Sequence, residues 1–255
     1  MLRVEHDGRE TAYEHTAGAG PTLCCVHGSG ATKAIWKAQR ARLSYDVAAL
    51  DLAGHGDSPD VDTSAGPATL SAYVDDLAAV VAALEADVVV GNSLGGAVII
   101  QALLDEAIDV DRAVLIGSGA KLGVAEPLRE WLRTDWDRAV SFLHDADRLF
   151  HDPSRALRET SEAAMRATGR AVTARDFLTC HAFDARGELA AIERPVLALT
   201  GVHDTLTPPR FHGYLARTVP DGRAALVPEA AHLSMLEAPS AVNTLLRAFI
   251  PRDEG

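Results

Sequence analysis

The chain of 255 residues is short of cysteine and of lysine. Three cysteines, an odd number, do not make a disulfide framework, and adjacent Cys24 and Cys25 have a spacing that rarely closes a bridge. Both read as small buried hydrophobes on a strand, and Cys180 as a lone thiol. Lysine occurs only at Lys33, Lys37 and Lys121; arginine supplies the remaining bases. The 36 acids against 24 bases leave a formal net charge of −12. Phosphate binding wants a basic face, so the composition argues against a nucleic-acid partner. Long apolar runs are missing as well. None approaches the ~18 residues of a membrane span, and the polar opening MLRVEHDGRE lacks the apolar core of a secretory signal. The expectation is a soluble, cytoplasmic protein with no membrane partner. Cofactor fingerprints are absent too. Gly28-Ser29-Gly30 is followed by Lys33 where a dinucleotide loop needs its third glycine, and no phosphate-binding loop ends in Lys-Ser/Thr. No cofactor is expected.

What the chain does have is 47% apolar and 24% charged residues, a globular balance. Its length fits one large α/β domain with an insertion. LRVEHDG and RETAYEHT read as two strands turning at Asp7-Gly8. Apolar strands follow at TLCCVHG (22–28), DVAALDLAG (46–54), DVVVGNS (87–93), AVLIGSG (113–119), PVLALTG (195–201) and RAALVPE (223–229). Between them lie helical patterns through Ile35 to Leu43, over 69–84, from Leu94, near 208–217 and at the C-terminal APSAVNTLLRAFI. The strands are continuous apolar runs, the mark of a parallel sheet covered by helices on both faces. The rhythm breaks over 121–189, a strandless stretch with Trp131, Trp136, Phe142, Phe150 and Phe177 that reads as inserted helices. Within it, HDADRLFHD could bring His144 and His151 onto one helical face. With no third ligand at matching spacing, it reads as a solvated acidic helix, and no metal site is expected.

Chemistry concentrates in Gly91-Asn92-Ser93-Leu94-Gly95. The bare G-x-S-x-G string is a weak signal; its place between a strand and a helix gives it weight. A serine at such a turn projects into the crevice at the carboxyl end of the sheet, beside the amino end of a helix. Glycine at positions 91 and 95 removes a clash, and Gly96 lets the helix approach the sheet. A serine hydroxyl needs a base, and the base an orienting acid, in the chain order Ser, acid, His. Of ten histidines, His6, His15, His27 and His55 precede the serine. His144, His151 and His181 lie in the insertion, His203 follows a strand, and His212 sits on a predicted surface helix. His232, in the loop after the last strand, is the candidate base. Asp204, in the loop after 195–201, is the candidate acid. Both fall on the same sheet edge as Ser93. An oxyanion would be met by the backbone N–H groups of Leu94 and Ser29, with His27 and Gly28 shaping the Ser29 loop.

These residues give the chain its resemblance to the α/β-hydrolase superfamily, in the capped, esterase-like branch. The likeness rests on HGSG (27–30), DLAGHGDS (51–58), GNSLGG (91–96), and GVHDTLTP (201–208) with AAHLSMLEAP (230–239). It implies an α/β fold with an eight-stranded, mostly parallel sheet flanked by helices. Residues 1–120 and 190–255 would form the core and 121–189 a helical cap. It also implies Ser93 as nucleophile, Asp204 as acid, His232 as base, and structural roles for Asp51 and His55. The expected substrate is a small ester or related acyl compound, hydrolysed through an acyl-enzyme. Asn92 stands where many lipases have histidine, a feature shared with C–C bond hydrolases and with assorted carboxylesterases. C–C cleavage, lactone opening or cofactor-free perhydrolysis is therefore the alternative chemistry, and a non-catalytic ligand receptor the alternative class. His27, Gly28 and Asn92 are pocket candidates, as are the aromatics of the insertion and Met165. Oligomeric state is not legible.

An acidic, lysine-poor surface suits either an ordinary acidic enzyme or one adapted to salt. Unfolding and activity followed from low to molar KCl separate the two. A salt-adapted chain loses structure at low salt; an ordinary one keeps full stability there.

Overall fold

The computed structural model describes residues 1–251, so the last four residues of the expected core segment, 252–255, lie outside the described residues. Asp7 and Gly8 take φ of 46° and 75°, the left-handed pair that a two-residue hairpin turn needs. They join β1 (Leu2–His6) to β2 (Arg9–Thr16). The remaining strands are β3 (Thr22–Val26), β4 (Asp46–Leu50), β5 (Val88–Asn92), β6 (Arg112–Ile116), β7 (Val196–Gly201) and β8 (Gly222–Val227). They form one eight-stranded sheet in the order β1-β2-β4-β3-β5-β6-β7-β8. β1/β2 and β2/β4 pair antiparallel and every other neighbour is parallel.

Helices cover both faces, as the unbroken apolar strands require. α1 (Lys37–Arg42) precedes β4, α2 (Pro67–Leu84) precedes β5, and α3 (Leu94–Leu104) follows it. On β3, Cys24 and Val26 pack into the core under α2 and α3, while Leu23 and Cys25 face the opposite core. The two adjacent cysteines thus point to opposite sides of the sheet, the period-2 geometry that keeps them from pairing. Burial pushes the Cys24 thiol up to about 12, so it behaves as a hydrophobe. By length and composition α2 would suit a membrane span. Instead it packs on α3 and the sheet, and its fully buried Asp76 is held by Thr11, the Ala53 amide and Arg9.

Between β6 and β7 the chain builds four helices: α4 (Glu126–Thr134), α5 (Trp136–Leu143), α6 (Arg155–Thr168) and α7 (Arg170–Ala182). After β7 come α8 (Pro209–Thr218), the short α9 (Ser234–Glu237) and α10 (Pro239–Phe249).

Several expectations are corrected. The strand through 46–54 ends at Leu50, because the next residues turn around Asp51, which accepts from the Lys33 and Asp57 amides and from the Lys33 ammonium. β8 is an edge strand, half-exposed along its length, with Leu226 facing solvent; it is not buried on both faces. HDADRLFHD is not a helix, since α5 stops at Leu143. There His144 is buried, bonded to the Val140 carbonyl at 2.8 Å and to the Ser161 hydroxyl at 3.0 Å. His212 is fully buried and not on a surface face; its Nε2 accepts the Ser118 amide at 3.0 Å.

Burial holds His212 down to about 4 from an ordinary 6.5. The unfolded chain therefore takes up a proton that the folded chain refuses. Stability falls as pH drops below about 6.5 and the loss levels off near 4, on the order of 3 kcal/mol in all. His212→Gln, which can still accept the Ser118 amide, is expected to make that acid limb shallower in urea titrations between pH 7 and 4. An unchanged slope counts against a neutral buried imidazole.

Candidate active site

β5 runs into α3 through Ser93, whose backbone sits at φ 53°, ψ −113°, a conformation L residues rarely hold. Tight packing around the turn enforces it. A Cβ on Gly91 would come within 2.5 Å of the Gly95 carbonyl group. One on Gly95 would meet the Val26 carbonyl oxygen at 2.6 Å, at the end of β3. Gly96 lies against Ser118, whose Cβ would stand 2.5 Å from an added methyl; the Ser118 hydroxyl donates to the Ser93 carbonyl at 2.9 Å. The glycines around Ser93 thus serve three different close approaches. The first is the expected contact across the turn, the second is to the end of β3, and the third is the expected approach of the helix to the sheet, beside the end of β6.

The Asp204 carboxylate is 2% exposed and saturated with donors. Oδ1 accepts the Leu206 and Thr207 amides, each at 2.8 Å; Oδ2 accepts the Thr200 hydroxyl at 2.9 Å and the Thr207 hydroxyl at 2.8 Å. Nδ1 of His232 stands 2.9 Å from the same Oδ2. Burial pushes this carboxyl upward, but the charge and hydrogen bond of His232, with the Thr207 donors, hold it below the ordinary carboxylate range. With Nδ1 committed to Asp204, the free nitrogen of His232 is Nε2. His232 and Ser93 line the same cavity of about 350 Å³.

Gly28, Ser29 and Asn92 also line it, as do Met165, Phe142 and Phe177 from the inserted helices. Trp131, Trp136 and Phe150 are not among its walls; Phe150 packs in the core. Most of the wall is apolar. His27 lies behind the cavity and not in it: it is fully buried, its Nδ1–H donates to the Gly28 carbonyl and its Nε2 accepts the Leu52 amide. Burial and the neighbouring His55 hold it neutral, down to about 4. Asn92 anchors the turn from below, donating to the Ile116 carbonyl at 3.0 Å. Leu94 heads α3, and its N–H and that of Ser29 find no acceptor among the described residues.

The pattern of motifs does not reveal two further contributions, both from the insertion. Arg148 and Leu149 offer their carbonyls to the His232 and Leu233 amides, at 3.2 and 2.9 Å, so the inserted segment fixes the histidine loop. Asp176 on α7 is fully buried and accepts the Gly30 amide at 3.0 Å, His55 Nε2 at 2.9 Å and the Tyr73 hydroxyl at 2.7 Å. Burial opposes its charge, but His55 and these donors keep it ionised; burial likewise opposes a proton on His55, and Asp176 retains it there. Asp176 thus ties the loop after β3, through Gly30, and the loop after β4, through His55, to the insertion. No local spacing betrays a partner 121 residues away. For the Asp204 loop the cue is local, since a turn aspartate commonly accepts backbone amides a few residues on, as Asp204 does from Leu206 and Thr207.

The sequence matches the alpha/beta hydrolase family model over residues 25–245. It is 32% identical to pimeloyl-[acyl-carrier protein] methyl ester esterase of Neisseria meningitidis, over 88% of this chain and 91% of that one. Among solved structures it resembles a thermophilic esterase (TM-score 0.86, 25% identity, 97% and 96% of the two chains). It also resembles an N-acyl homoserine lactone degrading enzyme (TM-score 0.83, 26% identity, 98% and 100%). The chain belongs to the alpha/beta hydrolase family, as an esterase of the serine-hydrolase type.

The His55–Asp176 pair stabilises the fold most where both members are charged. Its Asp176 share is present above 3.8 and lost as pH falls through the lower folded value. Its His55 share is present below 6.5 and lost as pH rises through the higher one. Asp176→Asn, unfolded with urea at about pH 5, is expected to cost about 3 kcal/mol or more by leaving His55 unpaired. A cost under about 1 kcal/mol would remove the pair from this role.

Proposed function

We propose that the chain hydrolyses carboxylic esters with an aliphatic acyl group, by nucleophilic catalysis at Ser93. His232 takes the hydroxyl proton through Nε2 as Oγ forms its bond to the ester carbonyl carbon. Asp204 orients the ring and stabilises the imidazolium. The carbonyl oxygen gains the negative charge and is met by the amides of Leu94 and Ser29, at the amino end of α3. His232 returns its proton to the departing alcohol, leaving an acyl-enzyme. Water, deprotonated by the same ring, then releases the acid and restores Ser93. The inserted residues 121–189 act as a cap over the acyl chain.

One observation carries this reading. A strained serine and a histidine with one nitrogen committed to a buried carboxylate open on the same cavity, and that cavity is lined mostly by apolar side chains. The curated relative is named for the methyl ester of a carrier-bound acyl group, and the same apolar wall suits the chain of such a substrate. Opening of an acyl lactone is the second reading. It breaks the same acyl–oxygen bond, and the likeness to a lactone-degrading enzyme over nearly the whole chain favours it.

A p-nitrophenyl ester series from acetate to dodecanoate tests the proposal, with an N-acyl lactone series beside it. kcat/KM is expected to rise by up to about fourfold per added methylene until the cavity fills, since each buried CH₂ contributes about 0.8 kcal/mol. Ser93→Ala is expected to lose roughly 10⁴-fold or more in kcat. Equal turnover by wild type and Ser93→Ala would refute the mechanism, and no turnover by either, with ligand still bound, would leave a binding protein as the better reading.

A further inference from the structure

The insertion also meets the core behind the Asp204 loop, at residues that do not line the cavity described above. Asp147 lies in the turn between α5 and α6 with φ 61°, left-handed for a residue with a side chain. Its N–H donates to the Phe150 carbonyl at 2.9 Å, and its own carbonyl accepts both the amide and the hydroxyl of Thr205, the residue after Asp204. This turn carries His151 back over Asp147, with Nδ1 2.5 Å from Oδ1. His203, next to Asp204, stacks on His151; the ring centres are 3.5 Å apart and the planes differ by 4°. Nδ1 of His203 is 3.9 Å from the same Asp147 oxygen. One ligand atom from each of the three residues lies within 4.8 Å of the others.

The backbone of each member is fixed while its side chain stays half-buried and reachable from solvent. The His151 amide donates to Glu237 at 2.8 Å, and the His203 amide to the Ala230 carbonyl at 3.0 Å. Two imidazoles and one carboxylate form a borderline-soft, singly charged donor set, which suits Zn²⁺ over Ca²⁺ or Mg²⁺. A tetrahedral ion with bonds of about 2.0–2.1 Å holds its ligand atoms roughly 3.3 Å apart. The observed separations of 2.5 and 3.9 Å bracket that spacing; the His151 and His203 rings, stacked parallel at 3.5 Å, must tilt apart for their in-plane lone pairs to meet on one ion.

We propose that Asp147, His151 and His203 form a Zn²⁺ site that clamps the inserted segment to the loop bearing Asp204. Zn²⁺ takes the Asp147 oxygen and one nitrogen from each ring, with water at the fourth position. The proton between His151 and Asp147 leaves to solvent as the metal binds. The site lies outside the reacting atoms and does not depend on what Ser93 does.

Calorimetric titration of the metal-free protein with Zn²⁺ alone tests it, with Co²⁺ as a spectroscopic stand-in. Wild type is expected to take up one Zn²⁺ per chain in a single tight step and to melt at a higher temperature with the metal. Co²⁺ should give the intense visible absorption of a four-coordinate site. His151→Gln and Asp147→Asn should each weaken that step by at least about tenfold, abolish the Co²⁺ band, and melt as wild type without metal. His15→Gln, at a distant exposed histidine, should bind as wild type does. Equal Zn²⁺ affinity in wild type and His151→Gln, or no tight step in wild type, would overturn the site. If His203→Gln, beside Asp204, fails to fold, the other two variants still decide the matter.

Discussion

The packing of α3 against the strand ends is the constraint from which the rest of the site follows. Ser93 holds a backbone conformation that costs on the order of 1–3 kcal/mol, and it persists only because its surroundings leave no alternative. Gly91 and Gly95 let backbone meet backbone, Gly96 makes room for the Ser118 side chain, and the Ser118 hydroxyl ties the Ser93 carbonyl to the end of β6. Ser118 in turn gives its amide to buried His212 on α8. A local strain at one residue is thus supported from β3, β6 and α8 together. The same packing leaves the Leu94 amide at the open end of a helix, where negative charge is favoured.

The acid and the histidine are held in a different way. Five donors surround Asp204, so its charge is met almost entirely by fixed hydrogen bonds and not by water. An ionised carboxylate so held keeps the imidazole in one orientation. The loop of His232 is short of regular structure and borrows its order from the insertion, through the carbonyls of Arg148 and Leu149. The inserted segment therefore frames the His232 loop as well as forming a wall of the cavity.

A second strut, the buried His55–Asp176 pair, works on the other side of the cavity. Asp176 accepts the Gly30 amide, one residue from Ser29, while His27 braces the base of the same loop. Both loops that flank Ser93 are thereby tied to the insertion by polar contacts buried from solvent. Such contacts are strong when complete and costly when broken, so the segment between β6 and β7 is bound to the core at discrete points.

Much of this was legible in the chain. Continuous apolar runs alternating with helical periodicity give a parallel sheet, because a strand covered on both faces has no polar side to display. The Asp7-Gly8 hairpin follows from the scarcity of residues that accept left-handed backbone. That Ser93, Asp204 and His232 share one edge of the sheet could be read from the chain, because each lies past the end of a parallel strand. Edge position escaped the sequence, since the apolar run of β8 looks like that of a central strand until its neighbours are known. So did the burial of His212 and the withdrawal of His27 from the cavity, which depend on what packs above a helix or behind a loop. The stacking of His151 on His203 and the reach of Asp176 to His55 were decided only by tertiary structure. Residues far apart in the chain meet there through packing, and no periodicity or spacing along a polymer records which distant loops will touch.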